Sequence, residues 1–132
     1  MKRIKPSLLP AAGWFIISAI LFTLPGSAFP KENWLDKIWF DKWAHIGIFI
    51  ILVALLCWGW RSIEKNIIPK KFRKVFITIG FICLFYGIVV EFVQQHFIRN
   101  RSFDIGDIIA DAMGCAAGII YSTRTYIKNR PL

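Results

Sequence analysis

Charge is scarce in this sequence, and acid is scarcer than base. Of 132 residues only 19% are charged, with 8 Asp and Glu against 17 Lys and Arg. Soluble domains carry roughly 25% charged and about 45–50% apolar residues, whereas the apolar share here is 56%. The first three apolar segments lack the continuous polar face that a soluble helix needs. That excludes a soluble helical bundle. Cysteine is scarce too: there are 3, an odd number sitting inside apolar segments. A disulfide framework is therefore excluded, and Cys57, Cys83 and Cys115 read as small core residues. No HExxH or comparable metal-ligand motif occurs. No nucleophile stands in a recognisable setting, and no cofactor is expected.

What the chain does have is four apolar segments: Leu8–Leu24, Trp43–Trp60, Val75–Ile98 and Ile105–Thr123. Each approaches the ~20 residues needed to cross a bilayer, and short loops join them. The expected fold is an all-α membrane protein, a four-helix transmembrane bundle forming one domain over residues 1–132. Its first segment has a rival reading as a signal peptide. Lys2, Arg3 and Lys5 supply a basic start, and Gly26-Ser27-Ala28 resembles a cleavage site. The apolar run exceeds the usual ~7–15 residues of such a peptide, so the helix is read as retained.

Basic residues sort by loop. Twelve of the seventeen precede segment one, follow segment four, or lie between segments two and three. By the positive-inside rule, both termini and the middle loop are expected in the cytoplasm. The positive net charge is then a topology signal; split among three short loops with no recognition fold, it argues against nucleic acid as a partner. Aromatics agree, with Trp34, Trp39 and Trp43 near the outer face and Trp58, Trp60, Tyr121 and Tyr126 near the inner one. Residues 25–41 suit either a short helix in the head-group plane or a loop pinned by its Trp side chains.

The acids are placed less conventionally. Only twelve uncharged residues run from Ala112 to Thr123, about 18 Å of helix. A bilayer core is roughly 30 Å thick, so the fourth helix spans only by taking Asp111 and Asp107 inside. An ionisable group there marks a functional site by default. Counted from the basic ends, His45, Glu91 and Asp107 each stand about 24–25 Å up and Asp111 about 20 Å. Asp41 lies at about 30 Å, and His96 at about 33 Å, an interfacial level. Three helices thus deliver His and carboxyl groups to one height. Asp41 and His45 share a face, as do Glu91 and Gln94. Asp107, Asp111, Gly114 and Gly118 form one stripe, and Gly114 with Gly118 makes a GxxxG pair for close helix packing.

Asp41-Lys42 with His45 resembles the VanZ-like family. So does the longer run of Tyr86-Gly87, Glu91, Gln94, Arg101-Ser102, Asp104, Asp107, Gly114 and Gly118. That family is named for a teicoplanin-resistance protein and consists of small multi-pass membrane proteins of bacteria. The resemblance implies a multi-pass protein of the bacterial cytoplasmic membrane and a role in the envelope or in glycopeptide resistance. Asp111 departs from the pattern, standing where the family usually has Asn.

The expected site gathers Asp41, Lys42, His45, Glu91, Gln94, Arg101, Asp104, Asp107 and Asp111 in one outward-opening polar pocket. Its leading reading is a binder of membrane lipid, of a lipid-linked envelope intermediate, or of a lipophilic glycopeptide tail. A hydrolase or transferase of the outer leaflet is the second reading, with catalytic candidates His45, Glu91 and Asp107 as acid and base. A third is an interhelical salt-bridge network without ligand. His45, Glu91, Asp107 and Asp111 also offer the nitrogen and oxygen donors that zinc or manganese accept. A proton-coupled transporter fits worst, for want of an inverted repeat.

Overall fold

The structure is a computed structural model and describes residues 8–24, 40–64, 69–98 and 103–128. These form α1 (Leu9–Thr23), α2 (Phe40–Ile63), α3 (Pro69–Phe97) and α4 (Ile105–Lys128). No strand occurs among the described residues. Helices α2, α3 and α4 are long and apolar enough to cross a membrane, and α1 is a shorter apolar helix. This is an all-α, multi-pass membrane protein. Residues 25–39, with Trp34, Trp39 and Gly26-Ser27-Ala28, lie outside the described residues.

The three long helices exceed the apolar runs that announce them, while α1 falls one residue short of its run at each end. Helix α2 starts at Phe40, so Asp41 and Lys42 belong to its first turn, and α3 starts at Pro69, taking in Lys70, Lys71, Arg73 and Lys74. At 1.5 Å per residue the 29 residues of α3 measure about 43 Å, against a bilayer core of roughly 30 Å. Its basic first turns therefore project beyond the apolar slab. Pro69 suits a first helical position because its missing N–H would be unpaired there anyway. Helix α1 has its own proline, Pro10, in the first turn. At its other end Thr23 Oγ1 donates back to Ala19 O at 2.9 Å.

Small residues on α4 set the closest packing. A Cβ added at Gly114 would lie 2.6 Å from Ile46 O and 2.8 Å from Phe49 Cβ, both on α2. One added at Gly118 would lie 2.8 Å from Val53 Cβ and 3.1 Å from Ile50 O. Absent side chains thus let α2 and α4 backbones meet, forming the largest interface in the bundle. Helix α4 also packs on α3, where Gly80 faces Ile119 and Gly87 faces Asp111. Helix α1 closes the remaining side. Trp14 Nε1 donates to Ile48 O at 3.0 Å, and Ser18 Oγ meets Tyr86 Oη at 2.9 Å.

Outward faces are apolar. Phe81, Ile82, Phe85, Val89 and Phe92 run exposed along α3, and Ile105, Ile109, Met113 and Ile120 along α4. In water such stripes would drive aggregation; in a bilayer they are the solvated surface. Inside, Phe49, Leu52, Val53 and Cys57 continue into Phe72, Phe76 and Tyr126 at one end of the bundle. The opposite end is polar.

Candidate functional site

The polar end is built from first turns of α2 and α4 and the last turns of α3. Asp104 caps α4: its Oδ1 accepts the Gly106 N–H at 2.8 Å, the usual service of an N-cap Asp. Asp107 follows in that first turn, where the helix dipole favours negative charge. Asp104 also ties α4 to α3, its N–H donating to Glu91 Oε2 at 3.1 Å.

Lys42 is the cationic hub. Its Nζ donates to Asp41 Oδ2 at 3.0 Å, to Asp107 Oδ1 at 2.7 Å and to Asp104 Oδ2. That ammonium holds the Asp104 carboxyl below the usual carboxylate range. Asp41 and Asp104 form an open rim, with side chains 57% and 44% exposed.

Beneath the rim everything is buried. His45 is 4% exposed, Asp107 6%, and Glu91 and Asp111 0%. His45 Nδ1 meets Asp111 Oδ1 at 2.7 Å, while Nε2 stands 3.7 Å from Asp107 Oδ2. The ring rests on Phe22, centroids 4.9 Å apart, with Phe49 and Tyr86 completing an aromatic floor. With Asp111 as a carboxylate, Nδ1 carries the hydrogen, and Nε2 faces Asp107 Oδ2.

Two carboxylate oxygens here have no hydrogen-bond partner among the described residues, Glu91 Oε1 and Asp111 Oδ2; the Ser122 hydroxyl, toward the other end, is the third such buried atom. A buried acceptor left unpaired costs about 1–3 kcal/mol, more when charged. Asp111 Oδ2 lies against Gly87, where a Cβ would collide with it. Gly87 is thus required by the site as space. Among the described residues, five carboxyls, Asp41, Glu91, Asp104, Asp107 and Asp111, lie around the Lys42 ammonium, two of them on the exposed rim and three buried.

Not every expected member joins. Gln94 is buried but faces α1, its Nε2 donating to Phe22 O at 3.0 Å. It satisfies a carbonyl near the end of that helix. Arg101, with Arg99 and Ser102, lies outside the described residues. His96 is exposed. Phe22, Phe49, Ser18 and Tyr86 were not singled out for the site. An aromatic stripe in an apolar helix carries no sign of which polar group it supports, and only the Tyr86-Gly87 pair gave a signal. The site's donors also form two groups: one carboxylate or imidazole atom each from His45, Glu91 and Asp107 lies within 4.8 Å, and so do carboxylate oxygens of Asp41, Asp104 and Asp107. Lys42 occupies the second.

Two cavities lie at the other end. One, of about 410 Å³, is lined by residues including Pro10, Cys57, Arg61, Phe76 and Ser122. The other, of about 440 Å³, is lined by residues including Ile120, Arg124 and Lys128.

A family model described as VanZ/LLP1 matches residues 6–126. An uncharacterized protein of the fission yeast Schizosaccharomyces pombe is 30% identical over 115 residues, covering 87% of this chain and 60% of that protein. The chain thus spans about 60% of that relative's length. Because that relative is fungal, family membership does not by itself make the chain bacterial. No solved structure matches.

Proposed function

This chain belongs to the VanZ/LLP1 family, and from that premise we propose that its polar end binds the head group of a membrane lipid or lipid-linked intermediate. One observation carries the reading. Glu91 and Asp111 are fully buried, and each keeps one carboxylate oxygen without a partner among the described residues. Free buried acceptors call for a donor. Head-group hydroxyls, an ammonium or a cation held by a phosphate supply one. Entry runs past the Asp41–Asp104 rim, and the acyl chains lie along the exposed apolar stripes of α3 and α4.

The basic first turns of α3, with Arg61, Arg124 and Lys128, support a reading with cytoplasmic termini and the polar end toward the outer leaflet. In a bacterial envelope this position intercepts lipid-linked wall intermediates or the tail of a lipophilic glycopeptide, and so alters the antibiotic response. A lipid head group is the broader ligand, since bacterial and fungal membranes both contain them. The His45–Asp111 pair favours a second reading, a hydrolase or transferase in which Asp111 orients His45 as general base.

Native mass spectrometry of gently purified protein tests the binding. A lipid should accompany the wild type and be absent from Glu91→Ala. Equal lipid on both would leave the salt-bridge network as the better account. In a susceptible bacterial host, expression should shift sensitivity to a lipid-tailed glycopeptide more than to one without the tail. Cysteines placed at Lys31 and Lys70 test orientation, and only Lys31→Cys should label from outside intact cells.

A further inference from the structure

We propose that His45, Glu91 and Asp107 bind one divalent transition-metal ion. Three helices contribute: α2 brings His45, α3 brings Glu91 and α4 brings Asp107. One donor atom of each lies within 4.8 Å of the others, and all three residues are buried.

Geometry distinguishes this from a salt bridge. His45 Nε2 and Asp107 Oδ2 stand 3.7 Å apart, too far for a hydrogen bond. Two donors each about 2.1 Å from one tetrahedral ion stand roughly 3.4 Å apart, so little movement seats an ion between them. Lys42 takes Asp107 Oδ1 and leaves Oδ2 on the His45 side. Glu91 has one oxygen fixed by the Asp104 N–H and the other unpartnered among the described residues, with the side chain 0% exposed. A carboxylate so placed points to a ligand that is absent from the protein's own atoms.

The surroundings suit a metal-bound imidazole. Asp111 on Nδ1 fixes the ring and directs Nε2 at the ion, the usual support of a ligating histidine. Gly87 makes room for Asp111. One imidazole nitrogen with two carboxylates suits Zn²⁺, a borderline ion, or Mn²⁺, a harder ion that accepts mixed nitrogen and oxygen ligands, better than Mg²⁺ or Ca²⁺, which prefer oxygen alone. Three protein ligands leave a coordination position open to water or a phosphate oxygen. The ion does not depend on the lipid reading, and it shows how an acidic site holds an anionic head group.

The full chain, carrying no polyhistidine tag, is stripped with chelator, reloaded with Zn²⁺ or Mn²⁺, desalted and analysed for metal. About one ion per chain is expected. Glu91→Gln and His45→Gln should retain only background, while exposed His96→Gln should match the wild type. An ion-free wild type, or full occupancy in Glu91→Gln, would overturn the proposal. Should the variants misfold, the wild type decides: its melting temperature should rise with Zn²⁺ or Mn²⁺ but not with equal Mg²⁺. No such rise ends the proposal. Metal bound without lipid would end the lipid reading alone.

Discussion

The two ends of the bundle use the same three long helices and reach opposite states of satisfaction. At one end Phe72 packs on Tyr126 with ring centroids 4.0 Å apart, and on Phe76 at 5.5 Å. Trp60 meets Phe76 edge-on, and Arg61 lies 5.9 Å above the Tyr126 ring. These contacts are complete in themselves. At the other end Glu91 and Asp111 are buried as deeply, yet each keeps an oxygen unpartnered among the described residues. What separates the two ends is the kind of group left unpartnered among the described residues: two buried carboxylate oxygens at the polar end, against the single Ser122 hydroxyl toward the aromatic end. On the proposed reading, stability belongs to the aromatic end and recognition to the polar one.

The effect that reaches both ends should come from the feature they share. Gly114→Val drives a side chain into the Ile46 carbonyl and Phe49 and should lower stability by about 1–3 kcal/mol or more. Thermal melts in detergent would show the loss, whereas Gly47→Ala, with nothing within 4 Å of an added Cβ, should melt as the wild type does. A small effect of Gly114→Val would mean that α2 and α4 do not need their close approach.

Next come changes that should divide the ends. Phe72→Ala empties a fully buried site and should cost about 3–5 kcal/mol while co-purified lipid is retained. Glu91→Ala should do the reverse, losing the lipid with a smaller change in melting temperature. If both variants lose both properties, the ends are one unit and the division is wrong.

Within the polar end a finer ranking is expected. Asp111→Asn keeps an oxygen to accept from His45 Nδ1, whereas Asp107→Asn removes a charge bonded to Lys42 at 2.7 Å. Lipid retention should therefore fall further in Asp107→Asn. The opposite order would make Asp111 the essential charge.

The smallest effect is one of pH. Because Lys42 depresses the folded-state pKa of Asp104, the pair stabilises the fold above the ordinary Asp pKa of about 3.9. That contribution is lost as pH falls through the depressed value. The rim is exposed, so the loss should be modest. Melting curves of Asp104→Asn should drop less between pH 5 and pH 3 than those of the wild type. A parallel drop would detach Lys42 from the stability of the rim.

Much of this arrangement can be read from the residues alone. The apolar excess announces the membrane, and the shortness of the uncharged run after Asp111 forces acids into it. The spacing of Asp107, Asp111, Gly114 and Gly118 puts carboxylates and small residues on one helix face. The three long helices extend past their apolar runs, because such a run marks the slab rather than the helix: Lys70 to Lys74 are helical beyond it. Gln94 shows another limit. Its spacing from Glu91 gives a shared face, but only the position of α1 reveals that Phe22 O takes its amide. The roles of Phe22 and Tyr86 likewise depend on which helices become neighbours.

Cys57, Cys83 and Cys115 are free and buried, at 1%, 2% and 4% exposure. A maleimide therefore meets no accessible native thiol among them until helices part. The rate at which the folded protein consumes such a reagent becomes a clock for opening of the bundle. Cys115 sits one turn below Asp111 on α4, between the two ends, while Cys57 adjoins the aromatic end. With single-thiol variants the clock can be read at two heights. Adding lipid or Zn²⁺ should slow it at Cys115 more than at Cys57, turning occupancy of the polar end into a change in reaction rate.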